Sequence, residues 1–366
     1  PFFLAIYDLM QMRKPETSDD TVISWSALNA QKDIFKDQKA LFQYLQASHL
    51  FYIQNKPQEA LKYLNQSQAS NSINNYLELS QVLLKGRISE KAERNQNTQK
   101  YWEFWLNKAK NDEQRGLFEF MLFPYYVEQQ NAERFIGSNA HIKQLSLVKS
   151  FIQNKANEKS LMHIVQHPSS TPEQKLVATY TTLNKALIHQ NYGLFNQAFQ
   201  YLPKNSNLYK YSSTDHAPYQ DQPFVGNFLW KGATISPTLK CPELSSLTQS
   251  LEKKPTDTQL QLCLGEFIRS DNGYNTNNEA INENMNPTFK GAIFKRGLVY
   301  KNIIKSNFSP EMKAYALYRA VQCYAPSAIN DCLDEDVPKS VRKQWFDQLK
   351  QDYPNTSWAQ SLKFYW

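Results

Sequence analysis

Residues 38–69 read QKALFQYLQASHLFYIQNKPQEALKYLNQSQA. Over 38–53 the apolar side chains Leu41, Tyr44, Leu45, Phe51 and Tyr52 recur at the spacing of one helix face. The NKP that follows breaks the run. Pro57 then suits the first position of a new helix, where a missing N–H does no harm. That helix, over 57–69, presents Ala60, Leu61 and Leu64 on one side. Two short amphipathic helices joined by a tight turn form a hairpin that must bury its face against further helices.

The pair resembles a tetratricopeptide repeat. That pattern places a large residue, a small one four on, an aromatic three later and an alanine early in the second helix. Tyr44, Ser48, Phe51 and Ala60 fill these roles. Small residues let the two backbones approach while large ones fill the grooves. A weaker copy reads Tyr76, Ser80, Leu83 and Ala92, and a third reads Thr182, Ala186, His189 and Ala198 with NYG as its turn. The resemblance implies an all-α chain: a degenerate tetratricopeptide-like helical repeat array, or α-solenoid.

Helix starts elsewhere agree. TPEQKLVATYTTLNKAL offers Thr171 as a cap, Pro172 at the first position and Gln174 three after the cap. SPEMKAYALYRAVQCY repeats the logic with Ser309, Pro310 and Glu311, followed by Ala316, Leu317, Ala320, Val321 and Tyr324 on one face. Residues 203–240 keep no helical period, yet their aromatic content predicts a long irregular loop packed on helices, with a short extended segment near NFLWKG. Residues 270–287, SDNGYNTNNEAINENMNP, read as a polar, irregular and partly disordered stretch.

Composition narrows the class. Of 366 residues 41% are hydrophobic, enough for a packed core, whereas 10 glycines are too few for a nucleotide-binding fold built on Gly-rich loops. The formal net charge is +7, but no block of five basic residues occurs, and the densest stretch, 339–343, is interleaved with other residues like a solvated helix face. Nucleic acid is therefore not the expected partner. No run of 18 apolar residues predicts a transmembrane helix. The chain opens at Pro1, and PFFLAIYDLM is short, is broken by Asp8 and lacks the basic start of a signal peptide. The expectation is a removed signal, a lipidated cysteine or a trimmed start upstream. Cys241, Cys263, Cys323 and Cys332 suit two disulfides and an exported protein. Four cysteines leave three pairings open, with four buried thiols as the alternative. No C-x-x-C spacing points to zinc.

The C-terminus repeats the helical theme. Pro338 opens a helix with Val341, Trp345, Phe346 and Leu349 on one face, DYPNTS stops it, and Trp358, Leu362 and Tyr365 form a second stripe. The run Tyr353, Pro354, Ser357 and Ala359 resembles the turn and closing helix of tetratricopeptide-type outer-membrane assembly lipoproteins of bacteria. Residues 241–267 and 314–366 are also similar to an uncharacterised family of bacterial envelope proteins described as such repeat proteins. The resemblance implies an exported helical scaffold and supplies no catalytic residue.

Motifs of chemistry are sparse. The sequence has no Walker loop, G-x-S-x-G elbow, H-E-x-x-H or G-x-G-x-x-G. His163 and His167 lie four apart and could both reach a metal. Ile164 stands where a zinc protease has its glutamate, and Pro168 marks a helix end, so the pair reads as histidines on a helix C-terminus. Glu266 and the acids Asp331, Asp334, Glu335 and Asp336 are candidates for paired carboxylates, which glycan cleavage requires. No catalytic residue, metal or cofactor is assigned. Trp102 and Trp105, three apart on one helix face, read either as core or as a partner contact. Tyr219, Phe224, Phe228 and Trp230 in the irregular loop are the other contact candidates.

The expected organisation is a helical repeat region over 1–202, an irregular loop with a connecting helix over 203–262, and a second repeat region over 263–366. The expected function is a non-catalytic protein–protein interaction scaffold, or an accessory subunit of a cell-envelope complex. It would sit in the periplasm, with an upstream lipid as a possible anchor to the outer membrane. The alternative is a periplasmic glycan-acting enzyme on a helical superhelix.

Overall fold

A computed structural model describes residues 23–67, 72–92, 94–204, 224–270, 273–324 and 330–365. Helices dominate these residues, and the strand content described is one two-residue antiparallel pair. The chain is all-α. It groups into two compact units: the described residues before Gln130 with His141–Leu147, and Gln130–Ala140 with the residues from Val148 onward. The boundary thus falls inside the region 1–202 that reads as one repeat region in the sequence.

The first unit carries α1 (Trp25–Asn29), α2 (Lys39–Ser48), α3 (Pro57–Ser67), α4 (Tyr76–Ala92), α5 (Gln96–Lys108) and α6 (Asp112–Glu128). Consecutive helices from α2 to α6 pack on one another. Pro57 opens α3 as its fixed φ favours. Asn55 turns the chain with φ of 55°, a left-handed value that asparagine tolerates. Tyr44, Ser48, Phe51 and Ala60 are all buried in this hairpin. Leu84 and Ile88 of α4 join the same core. The ring of His49 is buried here. Gln54 donates to its Nδ1 at 3.3 Å, so Nε2 carries the proton and donates to the Ile23 carbonyl at 2.8 Å.

The second repeat copy falls in a different register. Tyr76 is 88% exposed and Ala92 lies on the surface, while Gln81, Val82, Leu84, Gly86 and Ile88 face inward. The small residue that matters is Gly86: a Cβ there would overlap the Trp102 ring of α5. Trp102 is fully buried, and its indole N–H donates to Glu90 at 2.9 Å. The Tyr125 hydroxyl meets the same carboxylate at 2.9 Å.

After α7 (Leu145–Ser150), the second unit holds α8 (Glu158–Gln166), α9 (Pro172–Ile188) and α10 (Tyr192–Phe199). The strands β1 (Ala233–Thr234) and β2 (Lys240–Cys241) follow. Then come α11 (Leu244–Lys253), α12 (Thr258–Arg269), α13 (Tyr274–Met285), α14 (Arg296–Lys305), α15 (Pro310–Cys323), α16 (Lys339–Asp352) and α17 (Ser357–Ser361). Helix α9 is central and almost wholly buried from Val177 to Ile188. It begins with the capping box read from the sequence: Thr171 Oγ1 accepts from the Gln174 N–H at 3.1 Å and Gln174 Oε1 from the Thr171 N–H at 3.0 Å. Ser309 caps α15 by accepting the Met312 N–H. Thr182, Ala186, His189 and Ala198, which the sequence suggests as a third copy, are all buried.

The described part of 203–240 packs on these helices. A tight turn over Val225–Leu229 inserts Phe228 between Tyr180, Phe195 and Phe267, and Trp230 packs on Phe267. The extended pair lies just beyond NFLWKG, with Ala233 opposite Cys241 and Thr234 opposite Lys240. Gly232 (φ 87°) makes the corner, where a Cβ would strike the Cys241 carbonyl. The cysteines pair as Cys241–Cys263 and Cys323–Cys332, each with Cα atoms 5.3 Å apart. The first bond ties the strand pair to α12.

Two expectations need correction. The stretch 270–287 contains α13, which packs on α9, out of sequential order, as well as on α12. Near the C-terminus α17 ends at Ser361, so Tyr365 lies outside it and instead packs on Phe346 at 5.7 Å. No helix among the described residues is long and apolar enough to cross a membrane.

Gly86→Ala tests the packing of α4 on α5. Alanine has the better helix propensity by about 1 kcal/mol, so a net loss of about 1–3 kcal/mol in urea unfolding isolates the clash with Trp102. Restored stability on adding the change to a Trp102→Ala background would confirm its source. A neutral Gly86→Ala would contradict this packing.

Candidate functional site

In the first unit α2 and α4 lie side by side, held in part by the Gln81 side-chain amide donating to the Ala40 carbonyl at 3.0 Å. Between them is an open recess of about 350 Å³ lined by Gln38, Ala40, Leu41, Tyr44, Tyr76, Leu77 and Ser80. These residues come from α2, its entry and α4, the first members of two successive helix pairs. Tyr44 forms the floor. Burial pushes its hydroxyl up to about 12, with a hydrogen bond to Ser48 opposing the shift, so it stays a neutral donor. Tyr76 stands at the rim, almost fully exposed. The chemistry on offer is apolar and aromatic contact with a few amide and hydroxyl groups, which suits binding rather than catalysis.

A second open recess, of about 690 Å³, lies along α6, with Leu117 and Phe120 exposed on its wall. Its floor is Glu119, which is buried, pairs with Arg115 Nε at 2.7 Å and accepts the N–H groups of Lys143 and Gln144 at 2.8 and 2.7 Å. That carboxylate is fully engaged in holding local backbone.

The second unit concentrates charge in its interior. Lys185 of α9 is 1% exposed. Its Nζ lies 2.8 Å from Glu283 Oε1, 2.8 Å from Thr288 Oγ1 and 3.7 Å from Glu279. His189 Nε2 meets Glu283 Oε2 at 3.0 Å and Nδ1 faces the Gly291 carbonyl at 3.1 Å. Glu283 also accepts the N–H of Thr288 at 2.8 Å. Burial alone would push the Glu283 carboxyl up. Hydrogen bonds from His189, Lys185 and Thr288, with the charge of Lys185, outweigh burial and hold it below the usual carboxylate range. At Glu279 burial wins, and that carboxyl is raised despite Lys185. Every partner of this cluster is a structural neighbour, so its evident role is to fasten α13 to α9.

The acids singled out in the sequence are also engaged. Glu266 is buried, with Arg269 at 2.8 Å and Arg319 at 3.6 Å. Asp334 pairs with Lys301 at 2.7 Å and accepts the Tyr324 hydroxyl. Asp331 pairs with the buried Arg296 at 2.8 Å, Asp336 accepts the Asn330 amide, and Glu335 is exposed. Glu266 and Asp334 each face basic groups.

The aromatic contact candidates turn inward. Trp102, Trp105, Phe228 and Trp230 are buried, and Phe224 is half-buried. Large aromatics at helical spacing serve the core first. Tyr219 lies outside the described residues. The histidine pair gains a residue that the sequence reading missed: Glu133 lies 2.7 Å from His163 Nε2 and 3.6 Å from His167 Nε2. Among the described residues, these three side chains bring their ligand-type atoms within 4.8 Å of one another. Glu133 is 30 positions from His163, with no local signal joining them. Comparison with family models, curated proteins and solved structures found no match for this chain.

Glu283→Gln should cost about 3–5 kcal/mol at neutral pH, because it strips the buried Lys185 of its counter-charge. In the native chain the depressed Glu283 contributes stability above the ordinary carboxyl value of about 4.3, and that stability is lost as pH falls toward its folded-state value. Urea unfolding at a series of acid pH values should show a shallower loss in Glu283→Gln than in the native chain. Equal slopes would contradict the clamp.

Proposed function

We propose that this chain is a non-catalytic scaffold of the bacterial cell envelope that holds an extended segment of a protein partner. The observation that carries the reading is the recess between α2 and α4. Its walls come from the leading helices of successive pairs, the arrangement by which tetratricopeptide-like arrays present a binding surface. Tyr76 at the rim is the kind of residue that dominates interfaces: large, amphipathic and with few rotatable bonds. The two disulfides support an oxidising compartment, in keeping with export to the periplasm. Kinship with tetratricopeptide-type outer-membrane assembly lipoproteins, and anchoring through an upstream lipid, belong to the same proposal. They rest on the resemblance at Tyr353, Pro354, Ser357 and Ala359.

The test is affinity recovery of the native protein from cross-linked envelopes, read by mass spectrometry, with Tyr76→Ala alongside. The native chain should bring down one stoichiometric partner. Losing a contact of about 2 kcal/mol should cut recovery by Tyr76→Ala roughly thirtyfold, while its stability changes by less than about 0.5 kcal/mol. Tyr201→Ala, a half-exposed tyrosine outside the recess, should recover the partner normally. Equal recovery by Tyr76→Ala, or no partner at all, would overturn the reading.

A further inference from the structure

The last turn of α8 and the turn over Ala132–Arg134 meet on the surface of the second unit. We propose that Glu133, His163 and His167 form a binding site for one divalent transition-metal ion of the zinc class. His163 and His167 are one helical turn apart, with ring centroids 5.0 Å apart, so both rings project from the same face. Glu133 Oε1 lies 2.7 Å from His163 Nε2 and 3.6 Å from His167 Nε2. Ligand atoms around a tetrahedral zinc, at about 2.1 Å from the ion, are roughly 3.4 Å from one another. The two observed separations bracket that edge, so small shifts of partly exposed side chains make room for the ion.

The third ligand is held in place independently of the histidines. The Gln130 carbonyl accepts the Ser160 hydroxyl at 2.9 Å, and Gln130 Oε1 accepts the Asn157 N–H at 2.8 Å. These bonds fix the turn bearing Glu133 to the start of α8, and Phe135 stacks on Phe151 at 3.9 Å just beyond it. A ligand on a braced turn loses little freedom on binding. The field agrees as well, since the C-terminal end of a helix favours a cation. Two imidazoles and a carboxylate select zinc, nickel or copper over magnesium, which demands an oxygen shell. Three protein ligands leave a position for water or for a donor from a partner.

Loading has a stated proton balance. The proton that His163 Nε2 donates to Glu133 moves to Nδ1 of the same ring, so the neutral imidazole offers Nε2 and Glu133 its carboxylate to the ion. His167 Nδ1 accepts the Ser169 N–H at 3.2 Å, so its ring proton sits on Nε2 and must move to Nδ1 before Nε2 can bind. The Ser169 N–H then turns to solvent.

Isothermal titration of the full chain with zinc chloride tests the site, with nickel and magnesium chlorides in parallel. The expected result is one zinc or nickel ion per chain, no magnesium, and increased exchange of the Ser169 amide on loading. Circular dichroism should show His163→Gln and His167→Gln folded, because both side chains are partly exposed. Each should lose affinity by on the order of tenfold or more, and Glu133→Gln likewise. The proposal is overturned by a native chain with no saturable zinc binding up to about 1 mM, the weak end of specific affinity, or by binding unchanged in both histidine variants.

Discussion

The second unit depends on one ammonium group. Lys185 sits in the last turn of a helix, where the neighbouring side chains are all buried, and an isolated charge there would cost several kcal/mol. The chain meets that cost by folding the segment from Glu279 to Gly291 back over α9, so that Glu283, Glu279 and Thr288 surround Lys185 and His189. Once that segment is in place, the Phe294 N–H reaches the Ile188 carbonyl at 2.7 Å, and the Thr276 hydroxyl donates to Asn184 at 2.7 Å. The return places α14 beside α12, where Gly265 gives room to Arg296 and Tyr300. A polar clamp thus sets the path of a mostly helical chain whose apolar stripes alone would leave several orders of packing open.

The same interaction explains which parts of the fold were legible. Helices announced by a cap and an apolar face, at Thr171, Ser309 and Pro57, lie where their local chemistry puts them. Their signals are local, and neighbouring residues suffice to read them. The helix α13 has no apolar stripe to speak of, and its asparagine-rich sequence reads as disorder because its stabilising partners, Lys185 and Asn184, are about 90 residues away. The lysine itself was the available hint: a charge set in LNKALI, within an otherwise inward-facing run, calls for a buried partner. The second repeat copy slipped for a related reason. A serine and a glycine are both small, and only the position of Trp102 decides that Gly86 is the one in the contact. Burial of Trp102, Trp105, Phe228 and Trp230 reflects the large area an aromatic withdraws from water, which usually outweighs a role at the surface.

The candidate surfaces share a design in which buried polar bonds fix backbone and leave nearby side chains free to meet a partner. Glu119 holds Lys143 and Gln144 beneath Leu117 and Phe120; Gln81 holds Ala40 beneath the recess rimmed by Tyr76; Gln130 braces Glu133. The acids considered for glycan cleavage are committed to Arg269, Arg319, Lys301 and Arg296. Such commitment suits the proposed scaffold, whose work is to keep a surface in shape. The disulfides act in the same sense, closing segments of 22 and 9 residues and so restricting the unfolded chain.

Native-state hydrogen exchange of α13 tests the central claim most directly, because it asks whether a polar helix is ordered by a buried charge alone. With the native chain at neutral pH, the amides of residues 278–285 should exchange only through opening of the second unit, as slowly as those of α9. Exchange of those amides at the rate of an unstructured peptide, while α9 stays protected, would contradict the account.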